Sequence, residues 1–313
     1  GVAVNIFVEG EHHLDKRILT IQKGLARVAF GAYEKDRDDE LQIFPIGCNY
    51  FFGDAERDEA KIIVGDPLFV KDYWEQYQQN QAAAITKLCN DIRAALIRIC
   101  YHIEDKNDDR LANQLLLLRR SNHPDTMLPI VHHHADHFFE EKAMLNGLNA
   151  LPADEKEALK SNVDAYITAL ELSGLEDETF VQPQQGHISW VVFFILAAAP
   201  ALVGYILSRP AHLLSSYVCK KAVKKREFYT SVLLGVRTLI NFLIYVTFVL
   251  SGLISGMTWL IAMAFLMPIL IWVFVFYRER FHHWRMARKA WSHPNREKIM
   301  LLRNAITLPA EAQ

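Results

Sequence analysis

Residues 238–277 read TLINFLIYVTFVLSGLISGMTWLIAMAFLMPILIWVFVFY, forty consecutive positions with no formal charge. A helix needs about 20 apolar residues to cross a bilayer core, so this run is long enough for two crossings. Ser251-Gly252 and Ser255-Gly256 sit near its middle and weaken a helix there. The sequence therefore predicts a two-helix transmembrane hairpin over 230–277, with spans near 230–251 and 257–277. Arg237 falls about two turns inside the first span, close enough for its long side chain to reach back to the headgroups.

Upstream, residues 188–208 (ISWVVFFILAAAPALVGYILS) form another uncharged apolar run, interrupted by Pro200 and followed by Arg209-Pro210. Basic clusters follow it (Lys220, Lys221, Lys224, Lys225, Arg226) and follow the hairpin (Arg278, Arg280, Arg285, Arg288, Lys289). The positive-inside rule assigns both clusters to the cytoplasmic side, and two crossings between them satisfy it. A third full crossing would put residues 1–187 in an oxidising space. That suits poorly four cysteines, Cys48, Cys89, Cys100 and Cys219, with no C-x-x-C pairing. The expectation is a re-entrant or interfacial segment at 188–208, a basic linker at 209–229 resting on anionic headgroups, and a basic C-terminal tail at 278–313. The soluble domain and the tail would both face the cytoplasm.

The whole chain has 313 residues, 51% of them hydrophobic and 22% charged, with a formal net charge of −2. That average hides two regions. Residues 1–187 carry 19 Lys+Arg against 32 Asp+Glu, whereas residues 188–313 carry 15 against 4. Because the basic residues sit beside long apolar runs and form no soluble basic face, the pattern excludes a nucleic-acid binder and implies a bilayer as partner. The opening VAVNIFVEG has none of the regions of a signal peptide, and the expectation is a chain that starts within a longer protein.

In the acidic half, VAVNIFVEG at 2–10 alternates like a buried strand feeding a loop. Residues 21–34 place Ile21, Leu25, Val28, Ala29 and Ala32 at helical spacing. LQIFPIG at 41–47 and KIIVGDP at 61–67 are short apolar runs bounded by Pro, Gly and Asp, as strands are. The order predicts an incomplete α/β domain over 1–70. From 71 to 187 the pattern is a helical extension, with helices near 73–104, 108–120, 134–149 and 153–173. The stripe Leu88, Ile92, Ala95, Ile99 and Ile103 reads as core.

Three elements then stand together: Phe7-Val8-Glu9-Gly10, Lys23-Gly24-Leu25-Ala26-Arg27, and Phe44-Pro45-Ile46-Gly47-Cys48-Asn49-Tyr50. A strand ending in Glu-Gly, a basic loop, a Lys-Gly helix start and a strand ending Pro-x-Gly-x-Asn-Tyr resemble the glycerophospholipid acyltransferase (PlsC-type) family. Lys61-Ile62-Ile63-Val64-Gly65-Asp66-Pro67 is similar to that family's strand with a Gly-[Glu/Asp]-Pro ending. The resemblance covers about residues 2–70 in detail. It implies transfer of a fatty acyl group from acyl-CoA or acyl-carrier protein to glycerol 3-phosphate or a lysophospholipid, with no bound cofactor. It also implies an acceptor site shaped by Glu9 and Gly10. The family often has Arg where this chain has His12, so the phosphate role passes to Lys16, Arg17 or Lys23, with Gly24 at the helix start.

No His in the chain has an Asp five residues later, so the family's N-H-x-x-x-x-D block, whose His is the general base, is absent. Asn122-His123-Pro124-Asp125 does not supply it, because position 128 is Leu. The resemblance then implies a base upstream of Gly1 in an N-terminally truncated enzyme, inactive by itself. A membrane-anchored interaction or scaffold protein without catalysis is the alternative. Plainer roles exist for each residue: Glu9 as a strand-end carboxylate, Lys16 and Arg17 as a solvated pair, Lys23-Gly24 as helix-start packing, Asn49 and Tyr50 as strand-end shapers. Two histidine clusters invite a metal, His132–His137, where His133 and His137 share a helix face with Asp136 or His102 as a third ligand, and the loop set His12, His13 and Asp15. Neither has an H-E-x-x-H pattern, and no metal is expected. His282, His283 and Trp284 read as an interfacial aromatic-basic belt.

Overall fold

The first helix, α1 (Gly24–Asp36), forms within the expected segment, but it buries Ala26, Ala29, Phe30 and Tyr33 and leaves Val28 exposed. The face is set by aromatic partners that sequence spacing does not reveal. Phe30 stacks on Tyr77 at 4.2 Å, and Tyr33 meets Trp74 at 5.2 Å. Arg37, the left-handed residue that ends the helix, lies 4.0 Å over the Trp74 ring. This is a computed structural model that describes residues 3–10, 13–51, 59–122, 136–181, 188–225 and 228–309.

Four short strands follow: β1 (Gln42–Ile43), β2 (Ile46–Tyr50), β3 (Ala60–Val64) and β4 (Leu68–Phe69). They pair as two antiparallel ribbons, β1 with β4 and β2 with β3, the latter with Ile46 opposite Val64. The expected α/β sheet is not what these residues build. Residues 3–10 form no strand, because a strand exists only by pairing and no described segment pairs with them. Pro45, lacking an N–H, splits the run at 41–47 between the two ribbons. Gly47 lets β2 press on the end of the following long helix, since a Cβ there would lie 2.7 Å from Cys100 Sγ and from the Ile99 carbonyl oxygen.

The helical segment begins with a 3-10 turn at Val70–Tyr73, then α2 (Trp74–Gln79) and α3 (Gln81–Ile99). Where the sequence suggests one helix over 73–104, Asn80 breaks it: its backbone is extended and its side chain accepts from the Ala83 N–H at 3.0 Å, capping α3. Leu88, Ile92, Ala95 and Ile103 are buried as expected, and Ile99 is half-buried. Fully burying each such aliphatic side chain stabilises the fold by about 1.5–3 kcal/mol. Beyond lie α4 (Asp109–Asn122), α5 (Asp136–Ala150), α6 (Ala153–Ser173) and α7 (Asp177–Val181). Lys142 of α5 donates to the Ile97 and Cys100 carbonyls at 2.5 and 2.9 Å, which neutralises the C-terminal end of α3.

The described residues fall into two compact units, one within 1–116, 126–160 and 307–313, the other within 117–125 and 161–306. In the second unit three helices are long and apolar enough to cross a membrane: α8 (Ile188–Ala222), α9 (Tyr229–Ser255) and α10 (Thr258–Trp291). Gly256, at φ +73, turns α9 into α10. Tyr245 meets Phe265 at 6.1 Å, and a Cβ on Gly252 would lie 2.6 Å from Ile261, so the two run antiparallel.

Helix α8 does not end at Ser208, and no linker begins at 209, because the helix continues through Pro200 and Pro210 to Ala222. Its first part packs antiparallel on α10, with Phe194 near Tyr277, Phe281 and Trp284 and Tyr205 near Phe274. Its second part packs antiparallel on the start of α9, through His212 with Arg237 and Cys219 with the Tyr229 carbonyl. Three straight helices cannot all be mutually antiparallel. Helix α8 therefore changes direction between Tyr205 and His212, where Pro210 removes a helical hydrogen bond.

The expected basic tail is largely helix: α10 runs on to Trp291 and is followed by α11 (Arg296–Asn304). Several of its basic side chains meet acids or a carbonyl of the same unit. His282 meets Glu176 at 2.8 Å, His283 meets Glu178 at 3.5 Å, and Lys289 donates to the Gly174 carbonyl at 2.8 Å. The His283 hydrogen bond holds the Glu178 carboxyl below its usual range. Arg303 binds Asp177 at 2.8 Å, and Tyr166 donates to the same buried carboxylate.

Candidate functional site

The candidate site is built from residues 8–10 and 13–23, whose two ends meet and which are braced by α3. The Gln22 N–H donates to the Val8 carbonyl at 2.8 Å. Gly10 sits at φ +78, and a Cβ there would meet Gln22 Cγ at 3.2 Å, so the Glu-Gly pair is needed for the backbone to turn. Glu9 then reaches across the loop. Its Oε1 accepts from the Leu19 N–H at 2.6 Å, and its Oε2 lies 3.3 Å from His13 Nε2. His13 Nδ1 lies 3.1 Å from the Asp15 carbonyl oxygen. Both ring nitrogens are thus engaged, and neither is free to take a proton from a substrate.

Lys16 turns inward. It is buried, its Nζ donates to the Phe51 carbonyl at 2.7 Å and the Tyr50 carbonyl at 3.4 Å, and it lies 5.8 Å from the Phe51 and Tyr101 ring centres. Its backbone is pinned as well, the N–H to Asp109 and the carbonyl to the Ile103 N–H. Asn49 closes the same corner. Its amide donates to the Ile99 carbonyl at 3.0 Å and accepts from the Tyr101 N–H at 2.9 Å, a strand-end role.

The next residues are oriented by two side chains that sequence reasoning missed as parts of the site. Arg93 donates to the Ile18 and Leu19 carbonyls, and His102 Nδ1 accepts from the Ile18 N–H at 3.1 Å. Burial, together with the nearby Arg93 charge, pushes the His102 pKa down and favours the neutral ring this bond requires. Both residues lie more than 70 positions along the chain from the loop they hold, and no local motif marks them. Arg17 Nε is buried with no hydrogen-bond partner among the described residues.

Lys23 and Gly24 form the N-terminus of α1. No side chain caps that end, and its first turn holds no acidic residue. Gly24 is not a packing glycine, because a Cβ there would meet nothing within 4 Å. Lys23 and, one turn on, Arg27 are exposed beside it. Free amide N–H groups, the positive end of the helix dipole and two cations make this end of α1 complementary to a phosphate.

Two of the thiols near this corner are held protonated, since burial pushes Cys100 up to about 12, against the opposing pull of Lys142, and burial raises Cys89, whereas Cys48 on β2 is exposed. His12 and His133 lie outside the described residues. His137 is exposed and 4.0 Å from Glu140. Among the described residues, no three His, Cys, Asp or Glu side chains are grouped to hold a metal ion.

No family model matches the chain, and no solved structure does. Among curated proteins it is 30% identical over 103 residues to glycerol-3-phosphate O-acyltransferase 2 of Saccharomyces cerevisiae, a match covering 33% of this chain and 14% of that protein. To glycerol-3-phosphate O-acyltransferase 1 of the same yeast it is 23% identical over 233 residues, covering 71% of this chain and 30% of the relative. An uncharacterised acyltransferase of Schizosaccharomyces pombe is 29% identical over 107 residues, 34% of this chain and 16% of the relative. The chain spans less than a third of the length of each of these relatives. All three relatives are named acyltransferases, and three helices of this chain are long and apolar enough to cross a membrane.

Proposed function

We propose that this chain supplies the acceptor-binding half and the membrane anchor of an O-acyltransferase of phospholipid biosynthesis. The observation that carries the reading is the uncapped, acid-free N-terminus of α1 flanked by Lys23 and Arg27. The acceptor is glycerol 3-phosphate or a lysophospholipid, in keeping with the names of the two budding-yeast relatives. Its phosphate sits on the α1 amides and Lys23, with Arg17 at the adjoining loop. Glu9 and Gly10 act by closing the loop, and Lys16 by fixing its far end.

In the reaction the acceptor hydroxyl oxygen bonds to the acyl carbon of acyl-CoA or acyl-carrier protein. The thioester C–S bond breaks, and the hydroxyl proton passes by way of a general base to the leaving thiol. No N-H-x-x-x-x-D block occurs in these 313 residues, and in this reading the part of the residues described above is to bind the acceptor.

Titrating glycerol 3-phosphate into the full chain tests this. Saturable binding is expected, weakened about tenfold by Lys23→Ala and by Arg17→Ala, each removing a charge-assisted contact. A folded chain that shows no saturable binding would overturn the proposal. The scaffold reading would then lead, favoured by the inward use of Glu9 and Lys16.

The anchor has a topology supported by parity. The contact of Glu176 with His282 supports placing the residues before α8 and those after the apolar part of α10 on one side of the bilayer. A chain that leaves and returns crosses an even number of times. Helices α9 and α10 cross as a hairpin, and α8, bent near Pro210, dips in and out of the cytoplasmic face. The basic residues Lys220, Lys221, Lys224 and Lys225 then lie on the same side as Arg278 and Arg280. In a cysteine-free background, Glu171→Cys and Lys224→Cys should both be labelled from the cytoplasm and Met257→Cys from the opposite side. Labelling of Glu171→Cys and Lys224→Cys from opposite sides would mean that α8 crosses.

A further inference from the structure

The β2–β3 ribbon is turned the opposite way from a ribbon in water. Its covered side holds Gly47, pressed on Cys100, and two polar residues: Asn49, which is buried, and Lys61, whose ammonium meets Glu59 at 2.9 Å. On its open side the cross-strand pairs are Ile46 with Val64, Cys48 with Ile62 and Tyr50 with Ala60. Ile62 is 67% exposed and Val64 59%, and Phe44, just before β2, continues the alternation at 50%. No charged residue stands at any of these seven positions. Side chains of a strand alternate strictly, so a one-residue slip would turn Lys61 outward and Ile62 inward. The pairing keeps the apolar set outward instead, and a contiguous apolar face of this kind marks a contact.

Size and tethering name the partner. Half of each large side chain is already covered, which leaves on the order of 500 Å² open, short of the roughly 800 Å² per side of a stable protein–protein interface. A second copy of the chain or a separate soluble protein would be held weakly by such a face. A bilayer needs no comparable area here, because α8, α9 and α10 are long and apolar enough to anchor the chain in one. A surface tethered to its partner meets it at a high effective concentration, and a small patch then stays engaged. Charge points to an apolar contact: residues 1–187 carry 19 Lys+Arg against 32 Asp+Glu, so anionic headgroups exert no net pull on this part of the chain. Phe44 and Tyr50 add the aromatic character favoured at the membrane–water boundary.

We propose that the open face of the ribbon, Phe44, Ile46, Tyr50, Ile62 and Val64, rests in the headgroup–acyl boundary of the bilayer that holds the chain. The inference rests on the membrane anchor of the proposed function and not on its acyltransferase chemistry. Docking sets the Lys16 corner, whose ammonium binds the Tyr50 and Phe51 carbonyls, at the surface into which a lipid acceptor partitions.

Cys48 reports on this face directly, since it is exposed and Cys89, Cys100 and Cys219 are buried. The full chain, labelled at Cys48 with bimane, is placed in phosphatidylcholine nanodiscs with and without lipids that carry a nitroxide on the acyl chain. Quenching by the nitroxide lipid is expected, and added salt should leave it unchanged. In the double variant Ile62→Asp, Val64→Asp the docked population should fall at least about tenfold, because two carboxylates would have to leave water, and the quenching should fall with it. An unquenched label on the unsubstituted chain would overturn the proposal, as would quenching that persists in the double variant. An unquenched label whose emission changes with the number of chains per disc would overturn it in favour of a second copy. If the double variant does not fold, Ile46→Asn decides by the same comparison. A chain that elutes apart from the discs would overturn the anchor and this inference together, so the two failures are told apart.

Discussion

The loop of the first unit and the helices of the second are both held by many contacts, but of opposite kinds. In the loop, Glu9, Lys16, Arg93 and His102 direct charge and polarity inward, onto backbone groups that no regular strand satisfies. In the helices, apolar side chains face outward: only 6% of the most apolar window of α9 is buried within the protein. What holds the helices are close backbone approaches, such as Gly204 on Leu270, and the aromatic cluster around Phe194. The difference teaches that burial inside the chain measures stability only where water is the solvent. In lipid the apolar surface is already satisfied, and packing comes from shape and from the few polar links.

Substitutions can break this contrast. The largest effect is expected at the end of the second unit, where water returns: Asp177→Ala leaves Arg303 without its buried partner and should cost about 3–5 kcal/mol. Hydrogen exchange should show α10 and α11 loosening while α1 and α3 keep their protection; equal loss in both units would refute the separation.

Gly204→Val is next. A Cβ at that position would fall 2.0 Å from the Leu270 carbonyl oxygen, so α8 and α10 must part, at about 1–3 kcal/mol by thermal unfolding. Gly10→Ala tests the loop instead. The left-handed backbone should cost about 1–2 kcal/mol and weaken glycerol 3-phosphate binding with it. A stable variant with unchanged binding would show that the turn is not required.

The smallest effect is a pH dependence confined to the first unit. His102 has its pKa lowered from 6.5 by folding, so near that pH the unfolded chain takes up a proton that the folded chain refuses. Its stabilising contribution is complete above 6.5 and is lost as the pH falls through the lowered value. Exchange protection of the 15–22 backbone should decline in that window and lose this dependence in His102→Gln.

Much of the membrane unit was legible because forty uncharged residues admit few alternatives, and the hairpin turn at Gly256 fell where its glycines and serines pointed. Helices α5 and α6 were equally plain. The bend of α8 was placed at Pro200 but lies nearer Pro210, since a proline marks where a helix can bend and only its neighbours decide whether it does. Around the candidate site, Glu9-Gly10 and Lys23-Gly24 stood out as motifs. The inward turn of Lys16 did not, because a lysine on a loop looks solvated until Phe51 and Tyr101 are brought over it from 35 and 85 residues away. The ribbons were misread for a related reason: a run of apolar residues says strand, but not which partner or which direction.

The contacts of α10 with the segment before α8 also have a consequence in time. His282 lies 106 residues after Glu176, and Arg303 lies 126 after Asp177. At a synthesis rate of roughly 5–20 residues per second, the acidic segment leaves the ribosome on the order of ten seconds before its partners exist. During that interval Glu176 and Glu178 stand without their histidines, and Asp177 has Tyr166 but not Arg303, beside an apolar helix that is already made. The second unit is thus a clasp whose catch is made last, and its completion reports that the whole hairpin has been delivered to the bilayer.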